Sequence, residues 1–435
     1  MKVKFYGGVS EIGGNKILLE DCDTRVFLDF GMSFSDRAKF YHEPYLSPKD
    51  ERGLLEFGIL PDLKGIYCFD ESEAAIDAVI LSHSHSDHAS CIPFLNRTIP
   101  VYCGQTTASL LRSLSEVRIK SFETDIRELK INTFRTGDKI RVGSLEIEPI
   151  HVDHSVPAAY GFVIHTSEGT VVYTGDLRVH GTKAQMTLDF VKRAEEAKPA
   201  VMICEGTNIT GADVSSEDEV KAKIDKVVSG TDKLVLADFS YADIDRFRTF
   251  YEVAKGNRRQ LVISMRQAYV FDRLKHDEGL DIPEIDDENL LIFQKKKKRY
   301  YRWEEEIQSH LNVKDSSDIK GMQGEVIMVC GLFDLKELID IRPESGSNFI
   351  HSSSEPVNEE GEQEFNKLLN WLDHFGLPLY QIHCSGHIMP NELKGIISKI
   401  RPGTVHPIHT EHPELFAKFL GRYARIVLPN KQTGR

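Results

Sequence analysis

The feature that most constrains this chain is a string of possible metal ligands at residues 82–91, Ser-His-Ser-His-Ser-Asp-His-Ala-Ser-Cys. The apolar run at 78–81, directly before it, is typical of a buried β-strand. Because side chains alternate along an extended backbone, His83 and His85 project to the same side. A helix beginning near Asp87 would turn that carboxylate and His88 over the same pocket. Imidazole and carboxylate together suit zinc, and manganese or iron under the same ligand rules.

Length and composition indicate a globular protein of several domains. A chain of 435 residues is long for one hydrophobic core, so two or three domains are expected. The sequence shows neither a membrane-length apolar run nor a signal-peptide pattern, so we expect a cytoplasmic protein without membrane association. Seven scattered cysteines without a C-x-x-C pair favour reduced thiols. The net charge of −13 excludes nucleic-acid binding by overall positive charge, so a polyanion must meet a local basic site or the metals.

The pattern of predicted elements divides the chain into three parts. Residues 1–208 are dominated by short strands separated by glycine-rich turns. Residues 209–378 alternate strand and helix patterns, which is typical of an α/β layer around a parallel sheet. Residues 379–435 return to short strands that end in histidines, at 379–383 and 404–409. We therefore expect one domain that is interrupted by another.

Three further residues complete a possible set of ligands. His154 lies in Asp-His-Ser-Val-Pro, Asp176 in Tyr-Thr-Gly-Asp-Leu-Arg, and His409 in Pro-Ile-His-Thr-Glu, and each follows a predicted strand. A lone histidine at a strand end is more often structural than a metal ligand. His151 is the alternative to His154 as the ligand from this part of the chain.

The string at 83–88 and the context of His154 resemble motifs 2 and 3 of the metallo-β-lactamase superfamily. The expected arrangement has His83, His85 and His154 on one metal, Asp87, His88 and His409 on a second, and Asp176 shared between them. Asp29, which ends a strand, is expected to be structural near the site. Two zinc ions about 4 Å apart hold a hydroxide near neutral pH and clamp a phosphoryl oxygen, with manganese as the alternative metal.

The later part of the chain resembles the β-CASP nucleases of that superfamily. Glu205, His387 and His409 match their motifs A, B and C. The resemblance implies an αββα sandwich with an inserted α/β domain, a parallel sheet flanked by helices. Residues 7–16, 239–246, 352–356 and 383–409 are similar to the ribonuclease J group. The chain departs from that group at 330–333, Cys-Gly-Leu-Phe, where Gly-Ser-Gln-Gly-Glu is usual, and we expect a protein of the archaeal type that lacks the C-terminal domain of the bacterial enzymes.

This resemblance implies a metal-dependent ribonuclease that hydrolyses RNA phosphodiesters. The catalytic residues are expected to be Asp87, His387 and Glu205, with His387 as the general acid that Glu205 holds and polarises. The alternative is that His387 and Glu205 only fasten the inserted domain. Ser385 and Gly386 are expected to bind the 5′-monophosphate of a 5′→3′ exonuclease substrate.

A basic run at 295–299, flanked by Phe293, Tyr300, Tyr301 and Trp303, is typical of single-strand binding. Lys296, Lys297 and Arg299, with Ser353, are the candidate RNA-binding residues. A solvated loop with its rings in the core is the alternative. The expected partners are single-stranded RNA and a second copy of the chain as a homodimer. The competing functions are an endonuclease of the mRNA 3′-end-processing type, a DNA nuclease, and a non-catalytic RNA-binding scaffold.

Overall fold

A computed structural model describes residues 1–42, 45–211, 215–275, 277–353 and 359–432. Its strands are β1 (Lys2–Gly7), β2 (Lys16–Asp21), β3 (Thr24–Leu28), β4 (Ala78–Ile80), β5 (Val101–Gly104), β6 (Ile131–Phe134), β7 (Ile140–Val142), β8 (Leu145–Val152), β9 (Ala159–Thr166), β10 (Gly169–Tyr173), β11 (Val201–Glu205), β12 (Val235–Asp238), β13 (Gln260–Ser264), β14 (Leu290–Phe293), β15 (Val313–Lys314), β16 (Val326–Val329), β17 (Asn348–His351), β18 (Leu379–Gln381) and β19 (Thr404–Ile408).

The helices are α1 (Phe34–Ala38), α2 (Glu51–Glu56), α3 (Ser86–Ala89), α4 (Gln105–Val117), α5 (Ala184–Ala197), α6 (Glu217–Ser229), α7 (Ile244–Gly256), α8 (Met265–Leu274), α9 (Arg302–Gln308), α10 (Ser316–Gly321), α11 (Leu338–Ile341), α12 (Glu359–Phe375), α13 (Pro390–Ile400) and α14 (Pro413–Leu420). Among the described helices, none combines the length and the apolar character needed to cross a membrane.

The chain forms two compact units, Met1–Ala212 with Gly386–Arg435, and Asp213–Ser385. The sequence pattern predicts these limits at 208/209 and 378/379. The second limit differs because β18, which we expected in the returning part, pairs in parallel with β17 inside the second unit. The identification of the second unit as the inserted domain stays a prediction.

The first unit is a sandwich of two six-stranded sheets between helices. One sheet has the order β1-β2-β3-β4-β5-β6 and the other β19-β11-β10-β9-β8-β7. Apolar side chains from both sheets, such as Ile80 and Ile164, form the core between them. On the outer faces, α4 contributes Ala108 to the cluster against the first sheet, and α5 contributes Phe190 to the cluster against the second. This is the expected αββα architecture, which is confirmed.

The second unit contains a seven-stranded sheet, β15-β14-β13-β16-β12-β17-β18, in which every pair of neighbours is parallel. The inner strands β14 and β16 are continuous apolar runs, as expected for strands that are buried on both faces. Ile319 of α10, Leu338 of α11 and Leu368 of α12 pack with the sheet residues Leu236 and Met328. The predicted α/β layer with a parallel sheet is therefore confirmed.

Candidate metal centre

Loops from both sheets of the first unit bring their polar side chains to one place. β8, β10, β11 and β19 run in the same direction, so their carboxyl ends lie along one edge of the second sheet. His154, Asp176 and His409 come within three residues of the ends of β8, β10 and β19. The string at 83–88 follows β4 of the first sheet. Each chemical group is thus supplied by a turn that begins where a buried strand stops.

Three overlapping sets of potential ligand atoms result, and the atoms of each set lie within 4.8 Å of one another. The sets are His83, His85, His154 and Asp176; Asp87, His88 and His409; and Asp176, His387 and His409. Every residue that the sequence analysis assigned to the two metals lies in one of these sets. The rival histidine, His151, is in none of them, because its Nδ1 meets the hydroxyl of Thr136 at 2.8 Å and its ring packs on Tyr160.

The carboxylate of Asp176 lies at the centre of these sets. Its Oδ2 is between 3.1 and 3.8 Å from five imidazole nitrogens, those of His83, His88, His154, His387 and His409. The residue is 2% exposed, and among the described residues Oδ2 has no hydrogen-bond partner. A buried carboxylate oxygen without a donor is costly. Oxygen and imidazole donors around one point form a set that fits divalent cations.

Backbone contacts fix the string against neighbouring turns. α3 begins directly after His85, and the carbonyl oxygen of Asp87 accepts a hydrogen bond of 3.0 Å from the backbone N–H of Asn15. A Cβ on Gly31 would lie 1.8 Å from that same oxygen, so only glycine fits there. His409 has a φ of 53°, which is unfavourable for a residue other than glycine, and its N–H donates to the carbonyl of Gly8 at 2.8 Å.

Asp29, which the sequence analysis expected to be structural, organises the underside of the site. Its fully buried carboxylate accepts hydrogen bonds from Ser82 N at 2.6 Å, Ser82 Oγ at 2.7 Å and the Tyr173 hydroxyl at 2.5 Å. It also faces Nδ1 of His88 at 2.7 Å. This network places an imidazole proton of His88 on Nδ1, facing Asp29, so that Nε2 faces the pocket.

Two other ligand histidines are oriented in the same way. Nδ1 of His154 donates to the carbonyl of Gly386 at 2.6 Å, which turns Nε2 toward His85 at 3.1 Å. Nδ1 of His409 lies 2.8 Å from the hydroxyl of Thr207, and its Nε2 lies 2.9 Å from Oδ2 of Asp87. Thr207 is not among the residues predicted from the sequence, although its position two residues after Glu205 was a usable signal.

Burial and the carboxylates act in opposite directions on these imidazoles. Burial lowers the pKa of His83 and His154 well below the ordinary value and that of His85 to about 4. Burial also disfavours the charged form of His88, but nearby carboxylates, of which Asp176 is the strongest, raise its pKa well above the ordinary value. The first three residues are therefore in the neutral form that binds metals.

His387 and Glu205 form the predicted pair at the edge of the cluster. Nδ1 of His387 lies 3.1 Å from Oε2 of Glu205, which is fully buried. The other oxygen of Glu205 accepts from Leu177 N at 2.8 Å, and Thr207 Oγ donates to Oε2 at 2.9 Å. Burial opposes the charged form of His387, but Glu205 and Asp176 outweigh it and raise its pKa to about 9. The imidazole is therefore a proton donor near neutral pH.

One residue that the sequence analysis missed lies against the ligands. Asn15 is fully buried, and its Nδ2 is 3.1 Å from Nε2 of His88. Its Oδ1 has no partner among the residues the structure describes. The amide is therefore placed to touch whatever His88 binds. The available signal was its position in the glycine-rich motif at 7–16.

The predicted RNA-binding residues are distributed over both units. Gly386 is in the first unit, and Ser385, Ser353, Lys296, Lys297 and Arg299 are in the second. Lys296 pairs with Asp315 at 3.1 Å, and Lys297 pairs with Glu304, so two of the predicted cations are partly neutralised. Residues 354–356 of the serine-containing motif lie outside the described residues. RNA binding by all of these residues stays a prediction.

Comparison with known proteins agrees with this geometry. The family described as "Beta-lactamase superfamily domain" matches residues 69–200. A crystal structure of a protein of unknown function from Enterococcus faecalis V583 superposes with a TM-score of 0.78 at 23% identity, covering 99% of this chain and 98% of that one. The fold and the arrangement of histidines and aspartates define a protein of the metallo-β-lactamase fold.

Proteins of similar sequence indicate which group within the metallo-β-lactamase fold this chain resembles. The chain is 28% identical to ribonuclease J of Mycolicibacterium smegmatis over 94% of this chain and 68% of that protein. It is 26% identical to ribonuclease J of Mycobacterium tuberculosis over the same shares, and 26% identical to that of Thermus thermophilus over 93% and 67%. Over nearly its whole length the chain is thus similar to ribonuclease J, and this similarity supports a ribonuclease J-like protein of the β-CASP type.

Proposed function

We propose that this protein hydrolyses RNA phosphodiesters with two zinc ions bound at the cluster, and that manganese is the alternative metal. His83, His85 and His154 would hold one ion, Asp87, His88 and His409 would hold a second, and Asp176 would contribute to both. The observation that carries the proposal is the oxygen Oδ2 of Asp176, which is buried among five imidazole nitrogens and has no hydrogen-bond donor among the described residues.

When bound, the metals would neutralise phosphoryl charge and lower the pKa of water. The remaining chemistry belongs to the chain. Because Nδ1 of His387 faces Glu205, its Nε2–H is the proton that is available to the leaving ribose oxygen. Glu205 keeps that imidazole charged and fixes its tautomer. Asp87, 2.9 Å from His409 Nε2, contributes negative charge to the cation site and orients His409.

The finer proposal is 5′→3′ exonuclease activity on 5′-monophosphorylated single-stranded RNA in the cytoplasm. It is supported by the resemblance of residues 383–409 to the ribonuclease J group. Ser385 and Gly386 directly precede His387, so a phosphate held by this turn would lie beside the proton donor. We further propose a homodimer, which light scattering of the purified protein tests.

The basic run of the second unit is proposed as an RNA-binding surface. Among the described residues, Lys298 and Arg299 form no ion pair, in contrast to Lys296 and Lys297. Nζ of Lys297 lies 5.6 Å above the ring of Tyr301, which is 58% exposed. Exposed rings beside cations are favourable for stacking and phosphate contact with single strands.

The experiment uses metal-stripped protein reloaded with zinc or manganese, and RNA that is 5′-monophosphorylated and labelled at its 5′ end. We expect labelled mononucleotides as the first product. Internal fragments would replace the exonuclease proposal with an endonuclease, and equal degradation of DNA of the same sequence would make the enzyme a general nuclease. RNA binding without cleavage under metal-replete conditions would refute the proposed reaction and leave a binding scaffold.

A further inference from the structure

The segment at residues 425–432 connects the two sheets of the first unit. It first follows β19, where Val427 N donates to Val405 O at 2.9 Å and Val405 N donates to Arg425 O at 2.9 Å. It then reaches β1, where Lys431 pairs in parallel with Phe5 and the next residue donates to Phe5 O at 2.7 Å. β19 and β1 are edge strands of different sheets. The segment therefore fixes the backbone of Lys431 beside the metal-centre loops.

The side chain of Lys431 is inserted between two carboxylates. Its Nζ lies 2.9 Å from Oε1 of Glu11 and 2.6 Å from Oδ2 of Asp36. Glu11 is 5% exposed, and its other donors are neutral: Gly8 N at 3.3 Å and the hydroxyls of Ser33 and Ser35. Among the described residues, Lys431 is thus the cation in direct contact with Glu11, and a buried carboxylate is costly without such a partner.

Glu11 lies in the loop 8–15, which contacts a proposed ligand at each end. At one end, Glu11 forms a bridge with Thr410, and Gly8 O accepts the N–H of His409 at 2.8 Å. At the other end, the loop donates from Asn15 N to Asp87 O at 3.0 Å. A shift of this loop would therefore move His409 and Asp87 together, both of which are assigned to the same metal.

We infer that Lys431 is a positioning residue for the metal centre. By neutralising Glu11 it holds the loop 8–15, and through that loop it sets the positions of His409 and Asp87. Groups that orient metal ligands in this way change metal affinity by about 10- to 100-fold when they are removed. The inference rests on the proposed metal site, but its main readout is metal binding and not RNA cleavage.

The test compares Lys431→Met, Lys431→Arg and the double variant Lys431→Met/Glu11→Gln by zinc competition with a chromophoric chelator. We expect Lys431→Met to weaken zinc binding at one of the two sites by about 10- to 100-fold. The arginine variant and the double variant should recover most of that loss, because neither leaves a buried carboxylate unpaired. The matched control is Lys39→Met, which removes the other lysine on Asp36, at 2.8 Å, without touching Glu11.

Zinc affinity of Lys431→Met equal to that of Lys39→Met and of wild type would overturn the inference. So would a double variant that binds zinc as weakly as the single one. If Lys431→Met does not fold, Glu11→Gln and the double variant carry the test, and a tenfold loss on adding the lysine change to Glu11→Gln contradicts it. If the variants show the expected zinc affinities but the wild-type protein leaves RNA intact, only the proposed function is refuted.

Discussion

The substitution Glu205→Gln separates a catalytic pair from a merely structural one. Glutamine keeps the size of the side chain and can still accept from Leu177 N, now 2.8 Å from Oε1. The other oxygen, 3.1 Å from Nδ1 of His387, is replaced by an amide that donates. The imidazole then loses a negative neighbour, and its Nδ1 must accept a hydrogen bond. Both changes favour the neutral imidazole.

The magnitude follows from the charge that is lost. The pKa of His387 is raised to about 9, and Glu205 is the strongest of the groups that raise it. An adjacent opposite charge changes a pKa by about 1 to 3 pH units, so the pKa of His387 should be lower in the variant by about that amount. A general acid works while it is protonated, so activity is lost as pH rises through its pKa. The descending limb of the pH–rate profile should move to lower pH by the same amount.

Single-turnover cleavage of 5′-phosphorylated RNA, measured with saturating zinc from neutral to alkaline pH, reads this limb directly. The control is Glu148→Gln, which removes a similar partner from His165, 2.6 Å away on the surface of the same unit. Its profile should coincide with that of wild type. A Glu205→Gln enzyme that is slower or less stable, but whose descending limb has not moved, would refute the assignment of His387 as the acid that Glu205 charges.

Other predictions concern the supports of the site. Gly31→Ala places a methyl group against the carbonyl of Asp87, so zinc stoichiometry measured by elemental analysis should fall, whereas Gly256→Ala, which meets no atom within 4 Å, should keep it. Asp29→Asn should weaken zinc binding by about 10- to 100-fold in a chelator competition, because the negative charge facing His88 is lost and one of the two oxygens that accept from Ser82 and His88 becomes a donor; unchanged affinity would contradict this. Zinc at a hundred times its Kd should stabilise the folded protein by about 2.7 kcal/mol for each site it fills, seen as a higher unfolding temperature that a chelator reverses.

The sequence could predict the architecture and the ligand set because each proposed ligand follows a buried strand. The run at 78–81 indicates β4, and the polar residues after it therefore lie at the strand's carboxyl end. Parallel pairing of β10, β11 and β19 then brings Asp176 and His409 to one edge, although more than 200 residues separate them. Local pattern is sufficient where a strand end defines the position.

Local sequence pattern was insufficient where a residue's position or partner depends on contacts between distant parts of the chain. β18 has the pattern of a returning strand, but its register against β17 in the second unit decides its membership. The pairing of Lys431 with Glu11 joins residues 420 positions apart, and neither lies in a ligand motif. Lys296 belongs to a basic run that indicated RNA contact, yet Asp315, from a different element, partly neutralises it. Such pairs depend on tertiary contacts that no short motif encodes.

The most direct measurement is a zinc titration of metal-stripped protein that follows bound metal and RNA cleavage in the same samples. The proposed site predicts that tight binding ends at two zinc ions per chain and that cleavage appears only as the pair fills. Cleavage by the stripped protein at the same rate, or zinc that does not bind at the cluster of histidines and aspartates, would contradict the account.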